Sequence, residues 1–202
     1  GLCAGTAFNV VVAINPKPAI TQMSTTICNG VFTVTPSNGA NGVVPVNTFY
    51  TWGIPTSSST SLTGGVAGTG TTNITGTLSN SSNVTQTAVY LVTPSFGQCS
   101  GLTQSGNAFT VTVFVNPTPV ISAINRTICT GTPFVITPTQ GTDGFVPTGT
   151  QYTWGVPSYG NASMSGGDSQ TTASANIFGT VLNPTNTTYN VTYSVTPSTG
   201  LC

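Results

Sequence analysis

Few side chains in this chain could carry chemistry. There are five cysteines, two aspartates, Lys17 and Arg126, and no histidine. General acid–base catalysis needs a titratable group held against its substrate, so Asp143 and Asp168 would have to supply it alone. Serine and threonine hydroxyls abound, but no motif sets a histidine, lysine or carboxylate beside one as an activating base. The chain is expected not to be an enzyme. Asp143 and Asp168 also make a poor calcium site, which wants several carboxylates, and the first half of the chain has Asn41 and Ala67 at about the equivalent places. Zinc is equally unexpected: no C-x-x-C spacing occurs and no imidazole is available. No cofactor and no metal is anticipated.

What remains for Cys3, Cys28, Cys99, Cys129 and Cys202 is oxidation. Their spacing in a threonine-rich, almost uncharged chain reads as disulfide chemistry outside the cytoplasm. With two basic and two acidic residues in 202, no cluster exists to neutralise phosphates or anionic lipid, so neither nucleic acid nor a membrane surface is an expected partner. The longest apolar run, Val10 to Ile14, is too short to cross a bilayer. No leader opens the chain, and the segment is expected to be an excerpt of a longer exported protein. Seven Asn-x-Ser/Thr sequons, at Asn73, Asn80, Asn83, Asn125, Asn161, Asn186 and Asn190, arise by chance in so hydroxyl-rich a sequence.

The elements that position these residues come twice. Tyr50-Thr51-Trp52-Gly53 returns as Tyr152-Thr153-Trp154-Gly155, Ile27-Cys28 as Ile128-Cys129, and Val92-Thr93-Pro94 as Val195-Thr196-Pro197. A step near one hundred residues means whole repeated domains, since solenoid units recur every ~20–50 residues. Strict alternation at Phe8, Val10, Val12 and Ile14 predicts a strand, copied at Phe109, Val111, Val113 and Val115 and stopped both times by Asn-Pro-x-Pro. The predicted division is residues 1–17 as the closing strand of an upstream repeat, 18–118 as one full repeat, and 119–202 as a second that lacks its closing strand. Inside each repeat, Phe32 and Val34, then Tyr50 and Trp52, then Tyr90 and Val92 mark inward faces. Their copies are Phe134 and Ile136, Tyr152 and Trp154, Tyr193 and Val195. The Ser/Thr/Gly-rich stretches after Pro55 and Pro157 read as loops and short edge strands.

Short strands with turns every eight to twelve residues and no helical period make an all-β chain of tandem immunoglobulin-like β-sandwiches. In such a sandwich, a cysteine before the second strand and another after the sixth predict Cys28–Cys99 and its copy Cys129–Cys202. Cys3 stands where Cys99 and Cys202 stand. Trp52 and Trp154, which could be sugar-stacking platforms, are read as core packed against those bonds, with Tyr90 and Tyr193 beside them.

Ile27-Cys28-Asn29-Gly30, Tyr50-Thr51-Trp52, Tyr90 through Pro94 with Cys99, and Val113 through Pro119 together resemble the PKD-like and immunoglobulin-like repeats of very large cell-surface proteins of Bacteroidetes-type bacteria. The resemblance implies export, often by the type IX route, and service as long adhesins, including those of gliding motility. The usual Gly-Asp-Gly after the tryptophan strand is replaced here by Trp52-Gly53-Ile54-Pro55. The expected function is a structural repeat of an extracellular adhesin stalk or surface filament; the alternative is a module that binds carbohydrate or a surface. Expected partners are neighbouring repeats or like subunits, with glycans or surfaces under the alternative. Gly1-Leu2-Cys3 is identical to Gly200-Leu201-Cys202. Residues 4–15 are therefore expected beside a strand equivalent to Thr87–Pro94, in a continuous array or as a strand donated to a neighbour.

Overall fold

A computed structural model describes residues 3–99, 102–200 and 202. Gly1, Leu2 and Leu201 of the repeated terminal tripeptide lie outside the described residues, as does the side chain of Cys99. No described residue is helical, and the architecture is all-β.

Residues 18–118 form two packed sheets and a two-stranded ladder of Ala19–Ile20 with Gly42–Val43. The larger runs Met23–Cys28, Phe109–Asn116, Gln86–Cys99, Thr48–Trp52, Gly68–Thr71. The smaller runs Gly30–Val34, Ile74–Asn80, Leu62–Gly64. The chain passes from one sheet to the other at Cys28-Asn29-Gly30, and Gly30 adopts a φ of +133° that side chains with a Cβ rarely take. Period-2 alternation turns one face of each strand inward. Thr48, Tyr50 and Trp52 are buried while Phe49 and Thr51 are exposed, and Phe109, Val111, Val113 and Val115 are buried along the closing strand. These side chains meet Phe32, Ile74, Leu78, Tyr90 and Val92 in one core. Each valine of that strand is worth ~1.5–3 kcal/mol of burial.

The closing strand Phe109–Asn116 is the organising element of the larger sheet. It pairs antiparallel with the long strand, Val111 opposite Tyr90, and parallel with Met23–Cys28, Val111 opposite Met23. Residues 119–202 repeat the plan without it. Pro133–Ile136 pairs with Ile177–Leu182, and Gln151–Trp154 lies between Gln170–Ser174 and Val195–Ser198. Residues 124–129, the counterparts of Met23–Cys28, form no strand. A parallel edge strand has no ladder to join where its neighbour is absent.

Residues 3–17 depart from the expected strand. They form no strand, and every side chain is exposed. Their alternation is of strand type, but this chain offers them no adjoining edge. The Ser/Thr/Gly stretch after Pro55 does contain short strands, Thr56–Ser57, Leu62–Gly64 and Gly68–Thr71.

Candidate functional site: the joint between repeats and the open edge

The cysteines correct the expected pairing. Cys28 is bonded to Cys202 (Sγ–Sγ 2.10 Å), 174 residues away, and not to Cys99. Cys129 is consequently free and exposed, as is Cys3. The predicted pair assumed a bond between the sheets of one sandwich. Cys28 instead ends the strand parallel to the closing strand, opposite Asn116, at the end where the chain leaves for the next repeat. The second repeat delivers Cys202 to that end, and the bond staples two domains together.

Hydrogen bonds reinforce the staple. Thr199, 6% exposed, donates its hydroxyl to the Pro117 carbonyl at 2.7 Å, and the Thr148 amide donates to the Asn83 carbonyl at 3.0 Å. Pro117 and Pro119 are both buried, which fixes two φ angles of the connector inside the seam. Asn83, Val84, Thr85, Asn116, Thr148 and Thr199 line the crevice between the domains. Below it Asn80, 1% exposed, spends both Nδ2 protons on carbonyls, those of Val84 and Val115, each at 2.8 Å. That ties the loop facing the second repeat to the closing strand. It also removes the Asn80 sequon as a glycan acceptor, because the amide is buried. Sequence reading singled out neither Thr148 nor Thr199, and it took Asn80 only as a chance sequon. The available signal was an asparagine at the end of the same strand in both repeats, Asn80 and Asn183.

The second repeat bears the mark of its shorter strand complement. Ala88, Tyr90 and Val92 are fully buried, whereas Val191, Tyr193 and Val195 at the same places are half-buried. Phe32 is buried and Phe134 is half-buried. Asn183 repeats Asn80 in donating Nδ2 to a loop carbonyl, that of Thr187 at 2.9 Å. The side chains along 191–195 are thus less covered than their first-repeat counterparts.

Within each repeat the tryptophan is an internal strut. Trp52 Nε1 donates to the Val66 carbonyl at 3.1 Å, and Trp154 Nε1 to that of Asp168 at 3.0 Å. The Trp52 ring lies so close over Gly68 that a Cβ there would sit 2.3 Å from Cζ2. Both indoles are at most 5% exposed, so neither offers a stacking face. Trp52 packs over Gly68 and Trp154 meets Phe178 edge-on at 5.4 Å between ring centroids, and since Cys28 is bonded to Cys202 while Cys129 is free, the disulfide expected beside each indole does not form. Tyr90 meets Phe32 at a tilt, 5.2 Å between ring centroids, and Tyr193 meets Phe134 edge to face at 5.5 Å. Neither phenol oxygen has a hydrogen-bond partner, and burial pushes the Tyr90 hydroxyl up to about 12. Burial raises Tyr50, Tyr152 and Tyr193 as well, with Asp143 adding to the shift of Tyr152, and Tyr159 and Asp168 to that of Tyr193.

Residues 25–119 and 126–202 each match the family described as PKD-like domain. The chain belongs to the PKD-like domain family. No curated protein and no solved structure matches it. PKD-like domains fit a structural or adhesive repeat module and are in general non-catalytic, and with a disulfide they indicate an extracellular or surface protein.

The acidic residues of these two PKD-like domains serve local structure. Asp143 accepts the Thr139 amide at 2.8 Å, and Asn41 accepts the Ser37 amide at 2.9 Å in the same role in the first domain. Asp168 contributes its backbone carbonyl to Trp154, which makes Val66, not Ala67, its counterpart. Among the described residues no three metal-ligating side chains come together. A shallow depression beside Trp154, Asp168 and Phe178 is walled largely by glycine and hydroxyl residues and holds no acid–base pair.

Proposed function

We propose that the chain is a structural segment of an extracellular adhesin stalk or surface filament, whose task is to hold successive PKD-like domains at a fixed spacing and angle. The observation that carries this reading is the joint: a covalent bond between Cys28 and Cys202, a connector with two buried prolines, and hydrogen bonds from Thr199 and Thr148 across the seam. A connector of free Gly/Ser character would let the domains swivel; this one removes the φ freedom of two residues and ties both sides. Nearly charge-free surfaces give the material little dependence on salt. Placement outside the cell follows from the disulfide chemistry, and the resemblance to gliding-type adhesins supports secretion by the type IX route.

Small-angle scattering of the oxidised monomer tests the proposal. The expected profile is that of two domains in one fixed relation, unchanged from low to high salt. A profile that requires an ensemble of inter-domain angles overturns it. The carbohydrate-binding alternative draws little support from the site, because both indole faces are buried. Specific retention of the chain on a glycan array would revive it.

A further inference from the structure

We propose that the depression on the second PKD-like domain between Phe178 and Asp168 binds a pyranose unit of a neutral polysaccharide, a function additional to the stalk and carried by other residues.

The two domains share the floor of this place and differ in its walls. Gly65 and Gly76 lie over the Tyr90 phenol in the first domain, and Gly167 and Gly179 over that of Tyr193 in the second. A Cβ at Gly167 would stand 2.2 Å from the Tyr193 oxygen, so the floor stays bare for a structural reason common to both. Where the first domain has Val66, Gly68 and Thr75, the second has Asp168, Gln170 and Phe178. The equivalences rest on geometry. Val66 and Asp168 each accept the indole N–H, Gly68 and Gln170 each pair with the tryptophan, and Thr75 and Phe178 each follow the isoleucine that pairs with Val34 or Ile136.

The walls of the second domain are chemically unlike those of the first. Thr75 turns its hydroxyl onto the fold, donating to the Phe32 carbonyl at 2.7 Å and lying 3.2 Å from the Thr33 hydroxyl. Phe178 puts a ring there that is 43% exposed, and its cross-strand partner Val135 is 66% exposed. An apolar pair thus faces solvent where the first domain sets two hydroxyls. Trp154 meets the Phe178 ring edge-on and holds its orientation. A side chain at position 170 excludes an indole placed as that of Trp52, whose Cζ2 lies 2.3 Å from where a Gly68 Cβ would be.

The polar groups gather around that ring. Asp168 is exposed, and what it gives to the fold is its backbone carbonyl, which leaves the carboxylate available. Burial first, then Tyr159 and Asp168, raise the Tyr193 phenol, so the carboxylate lies on the side of the floor. Gln170 Nε2 gives one proton to the Thr172 carbonyl at 2.8 Å and keeps the other. Thr180, two residues beyond Phe178 on the same outward face, adds a hydroxyl. The cavity measures about 360 Å³, inside the ~300–1,000 Å³ range of small-molecule sites.

A pyranose presents a patch of C–H bonds on one face, whose partial positive charge suits the negative face of an aromatic ring, and hydroxyls around its edge. Phe178 supplies the ring. The Asp168 carboxylate accepts from two hydroxyls, while Gln170 and Thr180 donate or accept beside it. A lone negative charge at the rim repels uronate and sulfated sugars, so the ligand is neutral. Both indoles stay buried and offer no stacking face.

The experiment titrates the ¹⁵N-labelled oxidised chain with hexasaccharides of glucose, mannose, galactose and N-acetylglucosamine, with oligogalacturonate and tetramethylammonium as controls, and follows amide shifts. The expected result is saturable movement of the Gly167, Asp168 and Gly179 amides with at least one neutral sugar, at a Kd on the order of 1 mM. Gly65 and Gly76 should stay still, and oligogalacturonate should have no effect. Phe178→Thr and Asp168→Val each install the residue with which the first domain folds, so the fold is kept, and each should weaken binding at least about tenfold. The proposal is overturned if no neutral sugar moves these amides at about 10 mM, if the first domain's glycines move equally, or if both variants bind as the parent does. It is also overturned if tetramethylammonium or oligogalacturonate saturates the site in place of a neutral sugar. None of these outcomes touches the stalk reading, which rests on the joint within one chain.

Discussion

Replacing Cys28 and Cys202 together by serine tests the joint most directly. The bond closes a loop across 174 residues of sequence separation. In the chain-entropy account such a closure removes ~17 cal/mol/K from the unfolded ensemble, ~5 kcal/mol at 25 °C. The remaining ties at the seam, Thr199 to Pro117 and Thr148 to Asn83, contribute about 1 kcal/mol each. The disulfide therefore dominates the joint, and its loss should lower Tm by roughly 10–20 °C if the two domains unfold as one unit. Calorimetry of oxidised parent and double variant reads both the shift and the cooperativity. The parent should melt in one transition, and the variant should split into two, the second domain first because its core is half-open. Scattering of the variant should broaden toward an ensemble of angles. Peptide mapping supplies the refutation: a Cys28–Cys99 peptide in place of Cys28–Cys202 would place the bond inside one domain. A double variant that melts within about 2 °C of the parent would refute the claim that the disulfide dominates the joint.

Val113→Ala removes two methyl groups from a fully buried site and should cost about 2–3 kcal/mol by denaturant titration, while Val12→Ala, at its exposed counterpart, should cost nothing in the monomer. Gly68→Ala places a Cβ 2.3 Å from the Trp52 ring and should destabilise the first domain by about 1–3 kcal/mol, with the tryptophan emission of the folded state shifted; an unchanged spectrum and midpoint would show that the ring can move aside. Stability should be flat from pH 5 to 8, the chain having no histidine. It should then fall at alkaline pH: the folded Tyr90 hydroxyl lies at about 12 against 10.0 unfolded, so the unfolded state loses its proton first. The contribution, on the order of 2–3 kcal/mol, is complete below pH 10 and lost as pH rises through 12. Tyrosinate absorbance that rose fully by pH 10 with the fold intact would contradict this.

Much of the fold was legible before any coordinates. Alternation at Tyr50/Trp52, Tyr90/Val92 and Phe109 to Val115 reports which face is buried, because the strand period of two is a property of the backbone. The doubled Tyr-Thr-Trp-Gly reported a doubled domain. Asn80 was hidden, since an asparagine in a Ser/Asn-rich stretch looks like any turn residue; its role exists only because a strand end and a loop converge on its amide. The same is true of Thr199 and of Gly68 under Trp52.

Sequence alone determined the class of structure, the repeat, the poverty of catalytic groups and the likeness of residues 8–14 to the closing strand, all of which are local patterns or counts. Which cysteine meets which is not local. Cys28 and Cys129 occupy equivalent places, as do Cys99 and Cys202, so spacing admits a bond within a domain or between domains, and only the direction in which one domain leaves the other decides. Tertiary structure brought Cys202 to Cys28 because the connector at Pro117–Pro119 turns the second domain's final loop back onto the seam. It also left residues 8–14 outside any strand, since a strand's hydrogen bonds are made by its neighbour and not by itself.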